Sequence, residues 1–144
     1  MKLNNSITSI MSTDLITATI NENIYEVIER MKVNFIRHIP IMDGNKVSGL
    51  LSKSDIIKHV MYNKTNINPL VQNKDVCIKE IMTTKLITLT DNQTIKDAID
   101  IFNYNSFHSI PITDIKGDLI GVVSIDDLWT SYRELALQQS RPLS

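Results

Sequence analysis

Helix-spaced apolar stripes, each set among short runs of β-branched residues, occur twice in this chain at an interval of 71 residues. The first is Ile24, Val27, Ile28 and Met31, an i, i+3, i+4, i+7 series that lines one face of a helix. The second is Ile95, Ala98, Ile99 and Phe102. Asn23-x-x-Glu26 and Thr94-x-x-Asp97 precede them as N-terminal caps with a reciprocating carboxylate. A short apolar strand is expected before each helix, over residues 15–19 and 86–90. Two strands follow each helix. They cover 39–42 and 47–51 around the Asp43-Gly44-Asn45 turn, then 110–113 and 119–123 around Lys116-Gly117-Asp118. A second helix, over about 54–62 and 126–137, closes each half. Both halves therefore read β-α-β-β-α.

Residue identities repeat along with the pattern. Ile7, Ile10, Met11 and Thr17 align with Ile78, Ile81, Met82 and Thr88, and Ile39-Pro40-Ile41 with Ile110-Pro111-Ile112. One residue inserted in a turn then shifts the interval to 72, which aligns Gly49-Leu50-Leu51-Ser52-x-x-Asp55 with Gly121-Val122-Val123-Ser124-x-x-Asp127. Such self-similarity marks a duplication. The expected layout is repeat 1 over 7–62, a linker over 63–75, repeat 2 over 76–137 and a tail over 138–144. The linker is rich in Asn and Lys and contains Pro69. A unit of ~50 residues buries little apolar surface alone. The expected fold is α/β, with two β-α-β-β-α repeats packed about a pseudo-two-fold axis.

Composition narrows the class. The chain has 144 residues, is 42% hydrophobic and 22% charged, and carries a net charge of −1 from 15 basic and 16 acidic residues. That is ordinary globular composition without the basic footprint of a nucleic-acid binder. No apolar run approaches the ~20 residues of a membrane helix. Met1-Lys2-Leu3-Asn4-Asn5-Ser6 is followed by no apolar signal region, so the default expectation is cytoplasmic. The single cysteine, Cys77, lies between Val76 and Ile78 and is expected to be a packed, inert thiol. With three scattered histidines it makes no recognisable zinc site.

The ordered set of motifs resembles a cystathionine-β-synthase (CBS) domain pair, a Bateman-type regulatory module. The matching features are the Ile-x-x-Ile-Met openings, the strands ending at Thr17 and Thr88, and Arg37-His38-Ile39-Pro40 with His108-Ser109-Ile110-Pro111. The Gly-hydrophobic-hydrophobic-Ser-x-x-Asp endings complete it, and agreement runs over roughly residues 7–128. The resemblance implies two related clefts between the repeats, dimerisation through helices, and ligands of the adenosyl class: AMP, ADP, ATP or S-adenosylmethionine. No further cofactor is required. By family analogy each cleft pairs the first strand of one repeat with residues of the other. Thr17 would thus join His108, Ser124 and Asp127, while Thr88 would join Arg37, Ser52 and Asp55.

The chemistry of these residues suits such a ligand. An ionised Asp55 or Asp127 is a pure acceptor that can take both hydroxyls of a ribose diol. Ser52 or Ser124, with the open N–H groups of a helix start, can meet phosphate oxygens. Ser at an N-cap with Asp three residues on is also a capping box that needs no ligand. Capping and binding are compatible, and both stay open. Arg37 offers phosphate a permanent planar fork, and His108 stands at the equivalent position with a weaker donor. His38 and Ser109 are next in line. Ile16-Thr17 and Ile87-Thr88 could offer backbone groups to adenine, with Pro40, Pro111, Ile39, Ile110 and Phe107 nearby. These residues would equally be ordinary sheet formers.

No nucleophile elbow, Walker-type loop or His-Glu-x-x-His helix is present in the sequence. A ligand-sensing module rather than an enzyme is therefore expected. It would signal to an effector protein in trans if the chain is complete. The alternative is a ligand-free dimerisation scaffold. Trp129 and Tyr132, on helix spacing near the C-terminus, are expected to pack in the core, or else against a dimer partner.

Overall fold

Each half of the chain builds a three-stranded sheet around an antiparallel hairpin, in a computed structural model that describes residues 2–63 and 77–140. The expected linker, apart from Asn63, and the last four residues of the tail lie outside the described residues. The first sheet holds β1 (Ala18–Thr19), β2 (His38–Asp43) and β3 (Lys46–Ser52) in the order β1-β2-β3. Helix α1 (Ile24–Val33) connects β1 to its parallel neighbour β2, and α2 (Lys53–Asn63) leaves directly from β3. A one-turn helix α3 (Ile78–Ile81) follows. The second sheet repeats the plan with β4 (Leu89–Thr90), β5 (Ser109–Thr113) and β6 (Leu119–Ser124), joined by α4 (Ile95–Tyr104) and followed by α5 (Ile125–Ser140). A single 3-10 turn, Ile7–Ser9, precedes all of these.

The helices form where the apolar stripes predict. Ile24, Val27 and Met31 of α1 are buried, as are Ile95 and Ala98 of α4. Thr94 and Asp97 make the full reciprocal capping box. Asn23 caps more simply, accepting from the Tyr25 N–H at 2.8 Å. Both hairpin turns use glycine in the left-handed region, with φ +59° at Gly44 and +84° at Gly117, where a Cβ is disfavoured. At the second turn Asp114 Oδ1 also accepts from the N–H groups of Lys116 and Asp118, at 2.9 and 3.0 Å.

The first strands are shorter than the apolar runs suggest. Only Ala18 and Thr19 pair with β2, opposite Ile41 and Met42, and only Leu89 and Thr90 pair with β5. The next residues of the central strands are Pro40 and Pro111. Neither has an N–H to carry the parallel ladder further back. Ile16, Thr17, Ile87 and Thr88 therefore precede the strands instead of lying within them.

The units that pack together are offset from the units that repeat. One compact unit is 16–86, and the other joins 1–15 to 87–144. The cause is the Ile-x-x-Ile-Met segments. Ile78 and Met82 enter the core of Val27, Ile39, Ile41 and Leu51, whereas Ile7 joins Leu89, Ile95, Ile110, Ile112 and Val123, with Met11 packed alongside. Thr83 and Leu50 exchange both backbone hydrogen bonds at 2.9 Å, so this segment adds an antiparallel bridge to the outer edge of β3. Ser12 and Val122 do the same on β6 at 2.9 and 3.0 Å. In the second unit the Leu3 and Asn5 carbonyls also accept from Lys96 and Ile95, covering two otherwise open amides at the start of α4.

Two expectations about packing are corrected. Cys77 is exposed at the entry to α3, because it is Ile78, not the cysteine, that turns into the core. Trp129 and Tyr132 are 62% and 55% exposed on α5, tilted against each other with ring centroids 6.2 Å apart, so they are not core residues.

Candidate functional site

Strand β3 runs into α2 without a loop, and β6 runs into α5 in the same way. The last strand residue thus becomes the cap of the helix. Ser52 Oγ accepts from the Asp55 N–H at 2.9 Å, while Asp55 Oδ2 accepts from the Ser52 N–H at 3.3 Å. Ser124 and Asp127 repeat this at 3.1 and 2.8 Å. The capping reading of both motifs therefore holds. All four residues are half-buried, and the boxes use only Oδ2 of each carboxylate. Among the described residues no donor meets Oδ1 of Asp55 or of Asp127. The two copies differ in one further contact: Thr83 Oγ1 donates to Asp55 Oδ2 at 3.4 Å.

The positions ahead of the central strands converge on the same helix starts. The Arg37 carbonyl accepts from the Lys53 N–H at 2.8 Å, and the His108 carbonyl accepts from the Ile125 N–H at 3.1 Å. These bonds pin residue 37 beside the Ser52–Asp55 box and residue 108 beside Ser124–Asp127. Both side chains are exposed. One step on, His38 lies opposite Ser52 in the hairpin and Ser109 opposite Ser124. His38 is half-buried and Ser109 is buried.

Other candidates stand apart from this cluster. Sheet order places β1 and β3 on opposite sides of β2, so within its own unit Thr17 is not brought to Ser52 and Asp55. The same separation holds for Thr88 with Ser124 and Asp127. Ile16 and Thr17 are half-buried, and Ile87 and Thr88 are exposed. Pro40 and Pro111 are buried in the central strands. Ile39 and Ile110 have no exposed surface. They are core residues and leave nothing for a base to touch, which corrects their placement in an adenine slot.

One pair escaped sequence reasoning. Arg30 Nη2 donates to Glu22 Oε1 at 2.6 Å and Nη1 to Oε2 at 3.1 Å, a bidentate fork. The same Nη1 donates to the Thr17 carbonyl at 2.9 Å, and Glu22 Oε2 accepts from the Thr19 N–H at 2.8 Å. The Arg30 hydrogen bond holds the Glu22 carboxyl below the usual carboxylate range, and Glu22 in turn raises the guanidinium. The available signal was a break in the duplication: Glu22 and Arg30 align with Gln93 and Ile101.

No cluster of three or more metal-ligating side chains occurs among the described residues, and no helix there is long and apolar enough to cross a membrane. What the described residues do present, twice, is a Ser-Asp pair at a strand-to-helix turn with an Arg or His beside it. A family model, "CBS domain", matches residues 7–62 and 78–128. The chain belongs to the CBS-domain family. It is a tandem CBS pair, similar to the CBS domain-containing protein YhcV of Bacillus subtilis (strain 168). That likeness is 26% identity over 125 residues, spanning 85% of this chain and 82% of YhcV. The CBS domain pair of protein MJ0100, solved in complex with 5′-methylthioadenosine and S-adenosyl-L-methionine, superposes with a TM-score of 0.74 at 27% identity. It covers 89% of this chain and 99% of that one. A putative signal-transduction protein with CBS domains from Burkholderia ambifaria MC40-6 gives a TM-score of 0.79 at 23% identity over 97% of this chain and 100% of that one. This last likeness concerns the fold alone.

Proposed function

We propose that this CBS pair is a non-catalytic regulatory module that binds an adenosyl compound, AMP, ADP, ATP or S-adenosylmethionine, and signals to a partner protein. The observation that carries the reading is Oδ1 of Asp55 and of Asp127, which no donor among the described residues meets, each at a strand-to-helix turn. A half-buried carboxylate oxygen without a donor is a standing acceptor, and a ribose hydroxyl supplies the missing donor. Arg37 or His108, fixed at the same helix start, faces the phosphate or other polar end of the ligand. Thr17 and Thr88 offer backbone groups to the base. The adenosyl ligands of the MJ0100 pair support the choice of ligand class. Two or three charge-assisted bonds of about 1.5–3 kcal/mol each suffice for micromolar affinity once a base is buried.

Signalling requires that the ligand favour one arrangement of the protein over another. Isothermal titration with AMP, ATP and S-adenosylmethionine tests the binding step. Micromolar heats with at least one are expected, and silence with all three rejects the reading. A second reading, an assembly scaffold with empty sites, draws on exposed Ile125, Trp129 and Tyr132, which share one face of α5. The titration separates the two.

A further inference from the structure

The two copies of the proposed base-binding segment are wired differently. Glu22 and Arg30 together bracket β1, one accepting from the Thr19 N–H and the other donating to the Thr17 carbonyl. Gln93 keeps the first half of this device, its Oε1 accepting from the Thr90 N–H at 2.9 Å. Ile101 stands where the second half would be and has no side-chain donor, so no described residue gives the Thr88 carbonyl a counterpart of the Arg30 bond.

We propose that Arg30, held by Glu22, is a specificity-determining residue: it occupies the Thr17 carbonyl and so steers a base with an amino group to Thr88. This rests on the adenosyl-binding reading above. A carbonyl already bonded to a guanidinium has spent one lone pair, and the positive charge repels the hydrogen of a second donor. The 6-amino group of adenine is such a donor. A 6-oxo base instead presents an acceptor, which the positive charge of the guanidinium attracts even with both Nη1 hydrogens given to Thr17 and Glu22. The Thr17 position therefore favours an oxo base and the Thr88 position an amino base. The fork to Glu22 matters because it fixes the guanidinium plane; a lone arginine would swing away from the carbonyl.

The amides of Ala18 and Leu89 belong to the same peptide groups as the two carbonyls, and they report on each position separately. The full chain is titrated with AMP and with inosine 5′-monophosphate while both amide signals are followed by NMR. AMP is expected to move Leu89 at about tenfold lower concentration than Ala18, the worth of roughly one hydrogen bond. The inosine nucleotide is expected to reverse that order. Arg30→Met keeps the apolar stem and removes the guanidinium; at Ala18 it should tighten AMP and weaken the inosine nucleotide. Glu22→Gln, which copies the natural Gln93, should act in the same direction and guards against a folding defect in the first variant. If the AMP-to-inosine preference at Ala18 is unchanged in both variants, or both nucleotides shift equally, the proposal is overturned while the binding reading stands. If neither nucleotide moves either amide, the binding reading fails and this inference fails with it.

Discussion

Met82 sits over Gly49 so closely that a Cβ on the glycine would come within 2.9 Å of its Cγ, and nearer still to its sulfur. Met11 stands in the same relation to Gly121. Glycine is thus required on the third strand of each sheet because the methionine of an Ile-x-x-Ile-Met segment crosses there. Gly49→Ala should destabilise the protein by about 1–3 kcal/mol, since Met82 is buried and has little room to yield. Shortening the methionine as well should give a double variant less unstable than the sum of the single changes, read from denaturant midpoints.

The capping boxes allow stability and binding to be separated. Asp127→Asn retains a side-chain oxygen for the Ser124 N–H, so the fold should lose less than about 1 kcal/mol, the scale of a lost cap. Removing the charge weakens acceptance from a ribose diol, and AMP affinity should fall about tenfold or more by calorimetry. Asp55→Asn is expected to behave alike. A parallel loss of stability and affinity would mean that the aspartates only cap.

Much of this architecture was legible in local pattern, and the reason is that local pattern decides it. Apolar spacing fixed which face of α1 and of α4 is buried, and Gly44 and Gly117 marked the turns through their φ values. Periodicity carries no information about distant partners. The entry of Ile78 and Met82 into the core of the first sheet, and of Ile7 into the second, was invisible for that reason. The length of β1 depends on Pro40, a residue 22 positions downstream of Ala18, acting across a ladder. At the site, the Ser-x-x-Asp boxes were readable because a cap is a local device. The Arg30 bond to Thr17 was not, because charged residues on an amphipathic helix ordinarily face water.

Phe35 ends α1 in a conformation that suits glycine. Its φ is +54°, and the Ile36 N–H reaches the Met31 carbonyl at 3.0 Å while Phe35 N–H reaches Lys32 at 3.2 Å, the paired bonds of a Schellman cap. The side chain is 95% exposed and contributes no core contact to offset the strain. Phe35→Gly should therefore stabilise the protein by about 0.5–1 kcal/mol, measured as a raised denaturant midpoint at unchanged slope. A loss of stability would show that the aromatic ring packs on something in solution.

Arg37 and His108 are equivalent in backbone placement and unequal as donors. An arginine presents a planar fork of five N–H donors, whereas an imidazole ring presents two at most. Arg37→Ala should therefore weaken AMP binding about tenfold or more at pH 7.5, and His108→Ala by less, with both variants titrated under the same salt. Equal losses would argue that neither side chain discriminates the two copies.

The Glu22–Arg30 fork ties stability to acid. The Glu22 carboxyl titrates below the usual carboxylate range when folded, chiefly because Arg30 hydrogen-bonds its charged form. A depressed folded value means that the unfolded chain takes up a proton first as pH falls. The fork's full contribution is thus present above the ordinary glutamate value of about 4.3 and drains away as pH drops from there through the lower folded value. Both partners are partly exposed, with 26% of the Glu22 side chain and 32% of the Arg30 side chain accessible, so salt should reduce the effect. Glu22→Gln cannot titrate and still accepts from the Thr19 N–H, as Gln93 does from Thr90. It should lower stability at pH 7 and lose less than the native chain between pH 5 and pH 3, as followed by thermal unfolding at fixed ionic strength. If the two unfolding curves instead fall in parallel through that range, Glu22 carries none of the acid sensitivity, and the fork is too well solvated to hold Thr17 in place.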